Sequence, residues 1–167
     1  MQKNILLTSF ATWKPHHITN SSDDMLGYII NSYKKPLHYL RKVPVDHEQA
    51  PKKVLEKFNE LRPDILVCCG MAEKRKKLNL ESRARLGEKT IETGVDLKKL
   101  AKGLTMTRVS HDAGKFVCNT LYFKALIHMK KQSHGCVFVH VPVLTTDNVE
   151  PIKSDFISVL DRLAEIM

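Results

Sequence analysis

An α/β three-layer sandwich, with a mostly parallel or mixed central sheet, is the fold this sequence predicts, and three observations carry the prediction. Short, almost uninterrupted apolar runs at 4–10, 64–69 and 136–141 have the length and composition of strands covered on both faces. Between them, apolar residues recur at helical spacing over 25–33, 54–61, 118–129 and 152–163. The two patterns alternate through most of the chain, as they do when helices cover both faces of one sheet. At 167 residues the chain is long enough for a single domain, residues 1–167, with a full core and no disulfide staples.

Taken in order, the run ending at Phe10 leads into a polar, turn-rich loop (11–22) that holds the chain's only tryptophan, Trp13. Asn20 to Ser22 can cap a helix with Met25, Leu26, Ile29, Ile30 and Tyr33 inward, and Pro36 stops it. Leu37 to Val43 reads as an outer strand. Pro51 suits the first turn of a helix that buries Val54, Leu55, Phe58 and Leu61, closed by Pro63. Asp64 to Cys69 is a second buried strand. Gly70-Met71-Ala72 follows at its carboxyl end, where open α/β sheets bind ligands, so Phe10, Trp13 and Met71 are expected to share a crevice.

Leu78 to Leu86 alternates apolar and polar residues, which reads as one half-exposed strand with Glu81 on its polar face, paired with an arginine. Val95 to Lys102 is a short helix ended by Gly103, and Leu104 to Val109 a third sheet strand. Cys136 to Val141 is a fourth, with His140 near its carboxyl end. Glu150 and Pro151 open the last helix, whose inward face is Ile152, Phe156, Val159, Leu160 and Leu163.

Composition limits the functions open to such a fold. The formal charge of +9 raises nucleic acid as a partner. The basic residues, however, fall in scattered pairs, and the one run, Lys74-Arg75-Lys76-Lys77, has no interleaved aromatic residue to stack on bases; it reads as a solvated loop. The amino-terminal residues do not form a signal peptide and no stretch approaches membrane-spanning length, which implies a soluble cytoplasmic protein without a membrane partner. Its four cysteines are expected to be reduced, with adjacent Cys68 and Cys69 on opposite sides of a strand. His16 and His17 have no third ligand at a recognisable spacing and read as solvent-exposed; neither a metal nor a cofactor is expected.

The chemistry concentrates in Ser110 to Tyr122. Ser110, Asp112 and Gly114 are turn and cap formers, and the helical spacing that follows puts Cys118 in the first turn of a helix. There the positive end of the dipole favours a thiolate, although a buried structural cysteine is the alternative reading. Cys118 follows one strand and His140 ends another, so the two can meet at one rim of the sheet. Nucleophilic cysteine chemistry needs a thiolate, an imidazole that takes and returns a proton, and a group that fixes the ring.

These residues resemble the pyroglutamyl peptidase I family of cysteine peptidases. Ser110-His-Asp-Ala-Gly-Lys-Phe-Val-Cys118-Asn119 is similar to the family's S-x-x-A-G-x-[YF]-x-C-N signature, Val139-His140-Val141-Pro142 to its histidine strand, and Leu80-Glu81-Ser82-Arg83-Ala84 to its glutamate segment. The resemblance implies a phosphorylase/hydrolase-like sandwich with Cys118 as nucleophile, His140 as general acid and base, and Glu81 as orienting carboxylate. An ion pair of this kind would make the thiol titrate below its free value of about 8.5. The resemblance further implies that Phe10 and Trp13 hold the acyl ring, and that Phe116 and Val117 line the pocket beside the nucleophile.

The departures bear on substrate. The family opens G-F-x-P-F-G-G where this chain has Ser9-Phe10-Ala11-Thr12-Trp13-Lys14-Pro15, and it has a lactam-binding glutamine where this chain has Met71. An insert carrying an oxyanion-associated arginine and an R-I-P-D-N run is missing between Glu81 and Cys118; Arg83 or Arg85 is the candidate replacement for that arginine. The leading expectation is a peptidase or amidase acting on a peptide or small N-acyl amide, pyroglutamyl first. A small-ligand binding module without peptidase activity and a basic nucleic-acid-associated domain are the alternatives, and a homo-oligomer is compatible with the sequence.

Overall fold

The computed structural model describes residues 1–132 and 134–166. Its elements, in chain order, are β1 (Ile5–Phe10), α1 (Ser21–Ser32), β2 (His38–Val43), α2 (Gln49–Leu61), β3 (Ile65–Met71), β4 (Leu78–Glu81), β5 (Arg83–Leu86), β6 (Lys89–Glu92), α3 (Leu97–Ala101), β7 (Thr107–Ser110), α4 (Val117–Lys130), β8 (Gly135–Val141) and α5 (Val149–Ile166). Six strands form one sheet in the order β2-β1-β3-β8-β4-β7. The pairs β2–β1, β1–β3 and β3–β8 are parallel, β4 runs antiparallel to β8, and β7 is parallel to β4. The sheet is therefore mixed, and helices on both faces make the expected three-layer sandwich.

Strand alternation divides the core in two. Val67, Cys69, Val137 and Val139 pack with Met25, Ile29, Phe156 and Leu160 of α1 and α5. Leu66, Cys68, Cys136 and Phe138 pack with Val54 and Phe58 of α2 and Leu121, Tyr122 and Leu126 of α4. Adjacent Cys68 and Cys69 thus face opposite layers, as the alternation predicts, and β2, half-covered at the sheet's edge, is the expected outer strand. Asn20 caps α1: its side-chain oxygen accepts from the Ser22 N–H at 3.0 Å, while its amide donates to the Ala11 carbonyl at 3.1 Å. One residue thus closes the helix and holds the first loop beside β1.

Three readings of the sequence need correcting. The strand read at Leu104 to Val109 is Thr107–Ser110, because Leu104 still turns back to donate to the Ala101 carbonyl at 3.1 Å. Leu78 to Leu86 is not one half-exposed strand: it breaks at Ser82 into β4, buried on both faces within the sheet, and β5, which forms a separate hairpin with β6. The hairpin turns at Gly87, whose φ of 61° lies in the left-handed region that favours glycine. β6 has no apolar alternation to announce it. On α1, Ile30 points to solvent rather than inward, because the helix turns its buried stripe through Met25, Leu26 and Ile29.

Candidate active site

Register sets the first part of the site. His140 on β8 lies opposite Asn79 of β4, and Glu81 lies opposite Phe138, so Glu81 and His140 are diagonal neighbours on one face of an antiparallel pair. Their side chains meet there: His140 Nδ1 is 2.8 Å from Glu81 Oε1. Glu81 is fully buried (0 % exposed). A carboxylate in that position needs partners, and Arg75 supplies the second, donating from Nη1 to the same Oε1 at 2.7 Å. Arg75 also donates to the Ser110 hydroxyl at 2.9 Å and to the Asp112 carbonyl at 2.6 Å. The phenol of Tyr122, on α4, donates to the Glu81 carbonyl at 2.8 Å. Three chain segments are thereby fastened to Glu81.

The loop after β7 sets the second part. Asp112 N–H donates to Ser110 Oγ at 3.2 Å, Gly114 N–H donates to Asp112 Oδ1 at 2.9 Å, and Gly114 has a φ of 83°. This turn delivers the chain to α4 with Cys118 as its second residue. The first intrahelical bond runs from Thr120 N–H to the Phe116 carbonyl at 3.2 Å, so the amides of 117–119 precede the helix's own ladder. Asn119 holds α4 to the hairpin, accepting from Arg85 N–H at 2.9 Å and donating to the Arg85 carbonyl at 2.5 Å.

Gly70 on β3 lies opposite His140 and directly under the sulfur. A Cβ at this position would stand 2.6 Å from Cys118 Sγ and 2.9 Å from Phe138 Cζ. Only glycine leaves room for the cysteine where it sits.

The exits of β1, β3 and β8 and the start of α4 surround a pocket of about 420 Å³. Phe10, Trp13, Met71, Phe116, Val117, Cys118 and His140 all line it, with Glu81 behind His140. Phe10 and Val117 belong to the core as well, whereas Phe116 is 80 % exposed and Trp13 41 % exposed at the mouth. Met71 turns its sulfur toward α1, where it accepts from Ser21 N–H at 3.4 Å. Lys14 and Glu73 pair across the rim at 2.9 Å. Lys14 and the imidazoles of His16 and His17, gathered around it, hold the Glu73 carboxyl down to about 2.

Sequence reasoning missed Arg75. Its place in a basic run concealed it, although a buried carboxylate six residues on is the signal that could have found it. Arg83 and Arg85 do not take the place proposed for them: Arg83 donates to the His111 carbonyl, Arg85 is exposed, and neither lines the pocket. His17 is not solvent-exposed either, since Glu73 and Trp13 cover its ring. The lowered thiol is also overturned. Desolvation of the sulfur, with smaller contributions from Cys68 and Glu81, pushes the Cys118 thiol up to about 12. No hydrogen bond joins Cys118 to His140 among the described residues, and the residue's own backbone N–H offsets the burial only in small part. The helix N-terminus alone does not suffice.

No family profile matches the whole chain or a part of it. Individual relatives do match. The chain is 25% identical over 168 residues to a pyrrolidone-carboxylate peptidase of Brachyspira hyodysenteriae, covering 84% of this chain and 83% of that protein. It is 23% identical over 190 residues to pyrrolidone-carboxylate peptidase 1 of Caldanaerobacter subterraneus, covering 97% and 93%. Among solved structures, pyroglutamyl peptidase I from Bacillus amyloliquefaciens superposes with a TM-score of 0.80 at 20% identity, covering 99% of this chain and 94% of that one. The chain is thus similar in sequence to pyrrolidone-carboxylate peptidases and shares the fold of pyroglutamyl peptidase I.

Two outcomes follow from this geometry. Gly70→Ala should displace the Cys118 sulfur or Phe138 and cost about 1–3 kcal/mol in urea denaturation, as overpacking of a dense core does; an unchanged midpoint would contradict the contact. Iodoacetamide should modify Cys118 before Cys68, Cys69 and Cys136, whose thiols are fully buried and also raised. Because the thiolate is the reactive form and the folded pKa is raised, the Cys118 rate should keep climbing, about tenfold per pH unit, from pH 7 through pH 9. A plateau already reached at pH 7 would show a preformed ion pair.

Proposed function

We propose that the chain is a cysteine peptidase of omega/aminopeptidase type that removes an N-terminal pyroglutamyl or similar small acyl group from a peptide or N-acyl amide. The observation that carries this reading is the hydrogen-bonded Glu81–His140 pair opening onto the same pocket as Cys118, which sits at a helix N-terminus. Similarity to pyrrolidone-carboxylate peptidases supports it.

Cys118 Sγ attacks the carbonyl carbon of the acyl amide while His140 Nε2 takes the thiol proton. Glu81, accepting from Nδ1, fixes the tautomer and stabilises the imidazolium that forms. A thiol raised by burial fits proton transfer in step with attack rather than ahead of it. The tetrahedral oxygen faces the unpaired amides at the start of α4, which supply stabilisation where the missing arginine would have stood. His140 then returns its proton to the departing amine, leaving a thioester on Cys118. Water, deprotonated by His140, hydrolyses that thioester and releases the free acid.

Phe10, Trp13, Phe116 and Val117 give the acyl ring an apolar enclosure. Met71 carries no amide to pair with a lactam, so the pocket selects by shape and apolar contact, which discriminates between small acyl groups less sharply than a buried hydrogen bond does. Residues 1–167 act as one catalytic domain in this reading, in the cytoplasm, without nucleic acid; a homo-oligomer is compatible with it.

Release of aminocoumarin from pyroglutamyl-aminocoumarin tests the reading, with proline and cyclopentanecarbonyl amides alongside. Turnover should vanish in Cys118→Ala and fall about 10²- to 10⁴-fold in Glu81→Gln with little change in KM. Saturable binding without hydrolysis of any of these amides would favour the ligand-binding reading instead.

A further inference from the structure

We propose that His16, His17 and Glu73 form a binding site for one divalent transition-metal ion, Zn²⁺ by donor chemistry, at the rim of the pocket. The site lies outside the Cys118 machinery and does not rest on the peptidase reading. A turn closed by the His17 N–H to the Lys14 carbonyl, 3.0 Å, has Pro15 within it and brings two consecutive imidazoles together, ring centroids 4.4 Å apart at 68°. Glu73, 57 residues from His16, comes from the segment after β3 and meets them. His16 Nε2 is 3.2 Å from Glu73 Oε2, and His17 Nε2 is 3.1 Å from Oε1. All three ligating atoms lie within 4.8 Å of one another. A tetrahedral ion with bonds of about 2.0–2.2 Å has donors roughly 3.3–3.6 Å apart, so the cluster needs only a small adjustment to take one.

His17 supplies the independent observation. Its side chain is only 5 % exposed, yet neither ring nitrogen makes a hydrogen bond. Nε2 stands close to a carboxylate oxygen without directing an N–H at it. A buried imidazole left unsatisfied is costly, and a cation bound to its lone pair would supply the missing partner. Trp13 packs edge-on against the ring at 4.5 Å and fixes its plane. Two imidazoles and one carboxylate suit Zn²⁺ rather than Mg²⁺ or Ca²⁺, and leave a fourth position for water. Lys14 Nζ competes for Oε1 at 2.9 Å, but its half-exposed side chain is free to swing into solvent when the ion enters. Binding would staple the first loop, with Trp13, to the segment that carries Arg75.

The test is calorimetric titration of chelator-treated full-length protein with Zn²⁺, alongside Trp13 fluorescence and thermal melts. The proposal expects one equivalent to bind, shift the tryptophan emission and raise Tm by mass action. That equivalent should be weakened about tenfold or more in Glu73→Gln and His17→Ala, and retained in Cys118→Ala. Glu73→Gln keeps the shape of a surface side chain, so it carries the test if His17→Ala fails to fold. Absence of binding to the wild type, a first equivalent lost in Cys118→Ala, or one kept intact in Glu73→Gln would each overturn the proposal, the second by showing that zinc sits on the Cys118–His140 pair.

Discussion

The rest of the site depends on the buried carboxylate of Glu81. A charge with no solvent is tolerated only when paired, and removing one partner of such a pair costs about 3–5 kcal/mol because the other is left uncompensated. His140 and Arg75 share one oxygen of this carboxylate, while the other, Oε2, is buried without a hydrogen-bond partner among the described residues. The arrangement ties β4 to β8 through His140, to the segment after β3 through Arg75, and to α4 through Tyr122. Arg75 continues to Ser110 and Asp112, which shape the loop that presents Cys118. Ring orientation and nucleophile loop therefore share one anchor, which makes Arg75 a positioning residue although it stands at the pocket wall.

Close packing does the remainder. Cys118 approaches His140 over a backbone that has no Cβ at Gly70, and Phe138 fills the space beside it, its ring centroid 4.8 Å from that of His140. A dense interior transmits small displacements, so the positions of sulfur and imidazole are set by the sheet rather than by flexible loops. The price is desolvation: the same burial that orders the sulfur raises its pKa.

Most of the fold was legible in the sequence because strand and helix periods report which faces are covered. Three apolar strands, the edge strand at 38–43 and the inward faces of α2, α4 and α5 stand where those periods put them. The reading failed at β4, for a physical reason. Its polar alternation at Asn79 and Glu81 looks like a solvated face, yet both residues are buried, partnered by Arg108, the Lys77 carbonyl, His140 and Arg75. A polar face buried for chemistry has the same period as one turned to water. The expected site residues come together around one pocket, with Glu81 behind it, whereas the His16–His17–Glu73 cluster was missed because its members lie far apart in sequence, and Arg75 because it stands in a run of like charge.

The central claim is that Cys118 carries the acyl group during turnover. Intact-mass spectrometry of protein quenched in acid during steady-state turnover of a pyroglutamyl amide, followed by peptide mapping, tests it most directly. The account predicts a thioester-linked pyroglutamyl group on the peptide containing Cys118, absent in Cys118→Ala and more heavily populated when an ester oxygen replaces the amide nitrogen of the substrate. Turnover with no adduct at any quench time, or an adduct on a residue other than Cys118, would contradict it.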